Sequence, residues 1–144
     1  MIGNLGQIIQ KVMKMKIIDL KADMRNVDVR FRVIEKGEIR VIESRDGKEL
    51  NLAEVEVGDG TGRIFLTLWD QSIELLENED LGEVKNGFIK VVRNELRLNI
   101  GKYGELSKLE EDEDIPPSGK IPNNFPKPPE DYRPPFNKKQ RKRY

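Results

Sequence analysis

The chain contains the run Arg63-Ile64-Phe65-Leu66-Thr67-Leu68-Trp69, in which aliphatic residues alternate with residues of other kinds. Successive side chains of a β-strand point to opposite faces, so this period of two predicts a strand with one buried face. If the three aliphatic residues fill a core, Arg63, Phe65, Thr67 and Trp69 stand outside. An exposed pair of aromatic residues needs an explanation, because burying one Trp removes about 150 Å² or more from water.

The segments before this run predict two more strands. The first has its apolar side at Val27, Val29, Phe31 and Val33, bends at Gly37, and continues through Ile39 to Val41 or Ile42. Asp46-Gly47 is a hairpin signal between two such segments. In the second strand the apolar positions change from even to odd near Leu52, which predicts a β-bulge there.

The glycine-rich segment 58–62 connects this second strand to the run at 63–69. Such a segment could cradle a phosphate, but it lacks the lysine and the helix start of a P-loop, so it is interpreted as a turn. After Trp69, residues 70–76 predict a short helix with Asp70 as its cap. Two further strands are predicted at residues 81–92 and 95–100, with a turn at Arg93-Asn94.

Five short strands, with one helix between the third and the fourth, predict an all-β chain. The fold class is a five-stranded Greek-key barrel of the OB type, over residues 17–104. Before it, a stripe with spacings of three and four predicts an amphipathic helix over residues 1–16, formed by Leu5, Ile8, Ile9, Val12 and Met13. This helix either packs on its own domain or binds a protein partner.

Charge is distributed unevenly along the chain, although the net charge is zero. Residues 105–115 form an acidic hinge, with six acids against Lys108 alone. Residues 116–144 hold all eight prolines and eight Lys or Arg against Glu130 and Asp131, a net charge of +6. They predict a disordered, partly polyproline-like basic tail that contacts phosphates, docks on acidic proteins or folds back on the hinge.

The composition excludes several classes of chemistry, because the chain has no Cys and no His. This excludes thiol nucleophiles, zinc sites and imidazole acid–base chemistry. Carboxylates remain, but Asp59, Asp70 and Glu95 lie in predicted turns without a paired pocket, so we predict no enzyme, no metal and no cofactor. The chain has no long apolar run, so no membrane contact is expected and the predicted location is cytoplasmic, associated with the nucleoid.

The chain resembles a known family. It is similar to the simple archaeal single-stranded DNA-binding proteins, to the B subunits of the SOSS DNA-damage complex and to the replication protein A-like OB domains. The resemblance covers residues 17–115. Its clearest part is the run Glu56-Val57-Gly58-Asp59-Gly60-Thr61-Gly62-Arg63-Ile64-Phe65-Leu66-Thr67-Leu68-Trp69-Asp70, and it continues through residues 19–21, 86–88 and 96–101.

This resemblance implies one OB fold that stacks unpaired bases on aromatic residues at three places. Two of these fall on Trp69 and Phe88, whereas the third falls on Val92, which cannot stack as a ring does. Phe65 is also expected to stack a base, and this expectation rests only on its outward position in the strand. The tail also departs from the family, whose tails are often rich in Gly and Arg.

The sequence therefore predicts a protein that coats and protects single-stranded DNA in replication, recombination or repair. Stacked bases and phosphate contacts would carry the binding. The predicted nucleic-acid-binding residues are Trp69, Phe88, Phe65, Thr67, Arg63, Lys90, Arg97, Asn99 and Arg32. Two alternatives remain open: a structural or interaction subunit of a larger assembly, and an OB protein that binds RNA or the ribosome.

Overall fold

The computed structural model describes residues 15–134. Its strands are β1 Arg25–Lys36, β2 Arg40–Glu43, β3 Glu49–Gly58, β4 Arg63–Trp69, β5 Leu81–Val92 and β6 Glu95–Leu109. Short 3-10 helices occupy Ile17–Asp19, Asp70–Leu75 and Ser118–Lys120. The amphipathic helix predicted over residues 1–16 lies outside the described residues, apart from its last two positions.

Five of these strands close into a barrel. β1 pairs antiparallel with β5 and with β3, β3 pairs with β4, and β5 pairs with β6. The parallel pairing of β4 with β6 completes the circle, and β2 is an extra strand on β3. The predicted OB-type barrel is confirmed, and the predicted helix between the third and fourth barrel strands is the 3-10 helix Asp70–Leu75.

The barrel interior is filled by the aliphatic halves of the alternating strands. In β4, Ile64, Leu66 and Leu68 are at most 1% exposed, as the period of two predicts. Around them lie further buried side chains: Val29, Phe31, Val33, Val55, Val57, Val84 and Leu98. This core fixes which residues of β4, β5 and β6 face outward.

The predicted first strand is divided into β1 and β2 at Gly37, where a bend was expected. The N–H of Gly37 donates to the carbonyl of Glu54 at 2.9 Å, which pulls the backbone toward β3. β2 then pairs with the first half of β3 across the predicted Asp46-Gly47 hairpin. Gly47 has a φ of 80°, the left-handed conformation that such a turn needs.

The bulge predicted near Leu52 is wrong. β3 pairs in continuous register with β2 up to Leu52 and with β4 from Leu52 onward. The apolar positions change parity for another reason. Leu50 and Leu52 share the outward face with Trp69, which is paired with Leu52, whereas Ala53 points into the core.

Register shifts occur elsewhere in the sheet. β1 has one against β3 between Val33 and Glu35, and two against β5 over residues 25–29. β5 has one against β6 between Lys85 and Gly87.

The glycine-rich segment 58–62 is a turn, as predicted, and Asp59 organises it. One carboxylate oxygen of Asp59 accepts hydrogen bonds from the N–H of Thr61 (2.8 Å), the hydroxyl of Thr61 (2.6 Å) and the N–H of Gly62 (3.2 Å). The other accepts the N–H of Ile17 at 3.0 Å. Asp59 therefore joins the turn to the segment that precedes β1.

Asp70 does not cap the helix that follows it, contrary to the prediction. Its φ is 48°, and no side-chain cap bond is present at the start of the helix. Its carboxylate instead accepts the N–H of Asn51 at 2.8 Å, so it ties the end of β4 to β3.

The predicted acidic hinge begins inside a strand. β6 continues to Leu109 because residues 105–109 pair with residues 81–85 of β5. Leu106 packs against the core cluster, which gives this half of β6 an apolar anchor despite its acidic neighbours.

The tail also differs from the prediction over residues 116–134, which lie against the barrel instead of being disordered. Ile121 is buried at 3% exposure, as is Ile115 just before the segment at 6%. The N–H of Arg63 donates to the carbonyl of Asn124 at 2.8 Å. Disorder was predicted from the amino-acid composition of the tail. Composition gives no information on hydrogen bonds between arginine side chains and backbone carbonyls, which hold this segment. Residues 135–144 lie outside the described part of the chain.

Candidate nucleic-acid interface

The outward side chains of β4 form the centre of the candidate site. Trp69 is 42% exposed at the end of the strand, and Arg63, Phe65 and Thr67 are partly exposed. Trp69 is supported from one side by Leu52, its antiparallel partner on β3. The indole therefore has a buried cross-strand neighbour, while 42% of the residue stays exposed to water.

The neighbouring strands add polar and aromatic groups to the same face. On β6, Arg97 lies beside Phe65 and Asn99 lies beside Thr67. On β5, Lys90 is opposite Arg97 and Phe88 is opposite Asn99. The barrel register therefore brings together eight of the nine predicted residues: Trp69, Phe88, Phe65, Thr67, Arg63, Lys90, Arg97 and Asn99.

Phe88 lies over the backbone of Gly101 on β6. A Cβ at position 101 would be 3.5 Å from two of its ring atoms, an ordinary van der Waals distance, so the ring lies close to the β6 backbone. Beside it is a cavity of about 330 Å³ that Tyr103 and Lys102 also line. Tyr103 is 79% exposed, and it is an aromatic residue of this face that the sequence analysis missed.

Phe65 is not a free stacking surface, although its strand position predicted one. Its ring stacks on that of Phe125 from residues 116–134, the C-terminal segment, with centroids 5.7 Å apart and an interplanar angle of 19°. The guanidinium of Arg97 lies 4.8 Å from the Phe65 centroid. Protein groups thus already occupy ring surface that was expected to face water.

Two of the predicted phosphate ligands hold the C-terminal segment. Arg63 donates to the carbonyls of Ile121 at 2.8 Å and Pro122 at 3.3 Å, and it pairs with Glu56 at 2.9 Å. Arg32 donates to the carbonyls of Pro116 and Glu79, both at 2.8 Å, away from the outward face of β4. Both guanidiniums are engaged in structural contacts, so we assign them no phosphate.

The remaining two cations differ in their surroundings. Arg97 is largely buried and pairs with Glu95 at 2.7 Å and with Glu54 at 3.5 Å. Within residues 15–134 its Nε makes no hydrogen bond, although an oxygen of Glu54 lies 3.5 Å away. Lys90 is exposed, and within residues 15–134 no carboxylate lies within ion-pair distance of it. Among the four predicted phosphate ligands, Lys90 is therefore the one whose side chain has neither an ion pair nor a hydrogen bond within the described part of the chain.

The far end of the C-terminal segment is fastened by Tyr132. Its hydroxyl donates to the carboxylate of Asp23, with oxygen–oxygen distances of 2.9 and 3.0 Å. Desolvation, then the hydrogen bond and the charge of Asp23, raise the pKa of the Tyr132 phenol. Because the folded-state pKa is raised, this contact stabilises the docked segment below the ordinary phenol pKa and is lost as the pH rises through the shifted value.

Gly62 has no side chain, and this allows the C-terminal segment to lie close to the barrel at this point. A Cβ at position 62 would be 2.4 Å from the carbonyl oxygen of Asn124. Gly62→Ala should therefore cost about 1 to 3 kcal/mol of stability and loosen the segment. Trypsin should then cleave after Lys120 faster than in the wild type. Gly119→Ala, where the added Cβ meets nothing within 4 Å, is the control. Equal cleavage rates in both variants would contradict this packing.

Across residues 15–134, no helix has the length and apolar composition needed to cross a membrane. Over the same residues, no three acidic side chains are grouped so that they could hold a metal ion.

Comparison with known proteins gives consistent matches. A family model described as "Single-stranded DNA binding protein Ssb-like, OB fold" matches residues 8–108. The chain is 32% identical over 121 residues to the single-stranded DNA binding protein Ssb of Saccharolobus solfataricus, covering 84% of this chain and 80% of that protein. It is 29% identical over 104 residues to replication factor A of Methanothermobacter thermautotrophicus, covering 70% of this chain but only 13% of that protein.

The fold also matches solved structures. The second OB-fold domain of replication protein A from Methanococcus maripaludis superposes with a TM-score of 0.57 at 22% identity. That match covers 69% of this chain and 98% of the domain.

Proposed function

This chain belongs to the family of Ssb-like single-stranded DNA-binding proteins with an OB fold, as the resemblance of residues 56–70 predicted, and we propose that it binds single-stranded DNA on the outward face of β4, β5 and β6. Bases stack on Trp69 and Phe88. Thr67 and Asn99, between the two rings, offer hydrogen-bonding groups to the bases or the sugar.

The observation that carries this proposal is the exposure of Trp69. The only Trp of the chain is 42% exposed on a strand whose opposite face is fully buried. A ring held in this way gains about 1 to 3 kcal/mol when an unpaired base stacks on it, and every base has a face that can stack. Binding of this kind depends little on sequence, which suits a protein that coats single strands.

The biological role follows from this mode of binding. A protein that holds single strands without reading their sequence protects them in replication, recombination or repair, and it acts on DNA in the nucleoid. The similarity to a replication factor A supports the association with replication. The chain performs no catalysis in this role, since stacking and phosphate contacts leave the DNA chemically unchanged.

The test is a titration of fluorescently labelled oligo-dT, followed by anisotropy at several salt concentrations. We expect tight binding that weakens as salt rises, because each phosphate contact releases counterions. A matched RNA oligonucleotide tests the alternative partner. Absence of binding to oligo-dT at low salt would overturn the proposal.

Lys90→Ala should reduce the salt dependence measured in this titration. Loss of one phosphate contact lowers the slope of log affinity against log salt by about 0.7 for a single strand. Lys48→Ala, which also removes an exposed positive charge, from the β2–β3 turn, should leave the slope unchanged. Equal slopes for the two variants would show that Lys90 contacts no phosphate.

A further inference from the structure

A cavity of about 360 Å³ lies between the C-terminal segment and the turn that joins β5 to β6. The stacked residues Phe65 and Phe125 are part of its lining. Arg93 and Asn94 line it from the turn, and Lys127 lines it from the C-terminal segment. Aromatic rings, cations and an amide are the groups that bind the base, the phosphate and the base edge of a nucleotide.

The C-terminal wall of this cavity is held firmly in place. Just before Phe125, backbone carbonyls accept hydrogen bonds from the side chain and the N–H of Arg63. Just after it, Pro126 and Pro128 are buried, and Tyr132 is fastened to Asp23. Phe125 is therefore positioned before any ligand arrives, and the segment is part of the binding surface rather than a loose cover over it.

The charges at the cavity favour an anionic ligand. Arg93 and Lys127 contribute two positive charges, and the acid of the lining, Glu95, is paired with Arg97 at 2.7 Å. The described part of the C-terminal segment, residues 116–134, has three Lys or Arg against Glu130 and Asp131, so its net charge does not repel a phosphate backbone. If the C-terminal segment instead occupied the site in place of DNA, we would expect it to carry negative charge, as DNA does.

The cavity is also continuous with the proposed DNA-binding face. Phe65 lines the cavity and is the direct neighbour of Arg97 on that face, and Arg97 is opposite Lys90. A strand lying along β5 and β6 can thus pass from Lys90 to the β5–β6 turn.

We propose that this cavity is an additional subsite for one unpaired nucleotide, whose base stacks on Phe125 and whose phosphate meets Arg93 and Lys127. The subsite rests on the proposed DNA-binding function and extends it to a segment that no sequence pattern marked. The C-terminal segment then contributes directly to affinity.

A tryptophan placed at position 125 tests the subsite directly. In full-length Trp69→Phe, Phe125→Trp the only indole reports on the cavity, whereas in the wild type it reports on β4. Oligo-dT should quench the emission of both proteins. Quenching of the wild type alone would overturn the subsite and leave the proposed function intact. Failure of the wild type to bind oligo-dT by anisotropy would overturn the function itself.

Affinity measurements on two single variants provide the second test, which does not depend on the indole. Phe125→Leu keeps an apolar contact with Phe65 but removes the ring, and it should weaken oligo-dT binding about tenfold. Pro129→Ala, a change at an exposed position of the same segment outside the cavity lining, should bind as the wild type does. Unchanged or tighter binding by Phe125→Leu would overturn the subsite.

The lysines of the segment offer a matched pair. Lys127 lines the cavity and Lys120 does not. Lys127→Ala should lower both the affinity and the salt slope, the latter by about 0.7, whereas Lys120→Ala should change neither. Equal effects of the two variants would indicate only a diffuse attraction of DNA to the basic segment and would overturn the subsite.

Discussion

Trp69→Ala is expected to weaken binding of oligo-dT by about 10- to 100-fold, the loss that follows from removing one stacked base. The indole stands at the end of β4 with 42% of its surface exposed, and its neighbour Leu52 supports it. Alanine keeps the strand but removes the surface on which the base rests. Anisotropy of labelled oligo-dT measures the change.

Two controls separate stacking from folding. Trp69→Phe retains an aromatic face and should lose less affinity than Trp69→Ala. Val41→Ala removes another exposed apolar side chain, 62% exposed on β2 and outside the candidate site, and should bind normally. If Trp69→Ala were folded and bound oligo-dT as the wild type does, the proposed site on β4 would be wrong.

Asp59→Ala is expected to lower the free energy of unfolding by roughly 3 kcal/mol, because several buried donors lose their acceptor together. The carboxylate accepts bonds from the N–H groups of Ile17, Thr61 and Gly62 and from the hydroxyl of Thr61. It is 9% exposed, so water cannot readily replace it. Urea denaturation followed by circular dichroism measures the difference.

Asp46→Ala is the matched control for this variant. Asp46 also lies in a turn and accepts a hydrogen bond, from the hydroxyl of Ser44 at 2.5 Å, but it is exposed to solvent. Its loss should change stability by less than about 0.5 kcal/mol, as is usual for surface substitutions. Similar stabilities of Asp59→Ala and Asp46→Ala would contradict the structural role given to Asp59.

The barrel could be predicted from the sequence because apolar and polar residues alternate along a strand that has one buried and one exposed face. In β4 the pattern identified which side chains are buried and that Trp69 is exposed. The same parity identifies Tyr103 as outward-facing once β6 is extended past Ile100. The strand was predicted too short because the acidic residues after Gly104 conceal its pairing with β5.

The environment of Phe65 could not be predicted in this way. Strand parity gives the direction of a side chain but not what covers it, and the covering ring belongs to Phe125, 60 residues later in a proline-rich segment. That segment is held largely by backbone carbonyls that accept bonds from Arg32 and Arg63. Every residue has such a carbonyl, so composition carries no sign of these contacts.

The emission of Trp69 during a titration with oligo-dT tests the central claim most directly. The chain has a single Trp, so the signal comes from the proposed stacking position alone in the wild-type protein. Stacking on β4 predicts saturable quenching, with a midpoint that moves to higher concentration as salt is added. Unchanged emission, while anisotropy shows the same oligonucleotide bound, would contradict it.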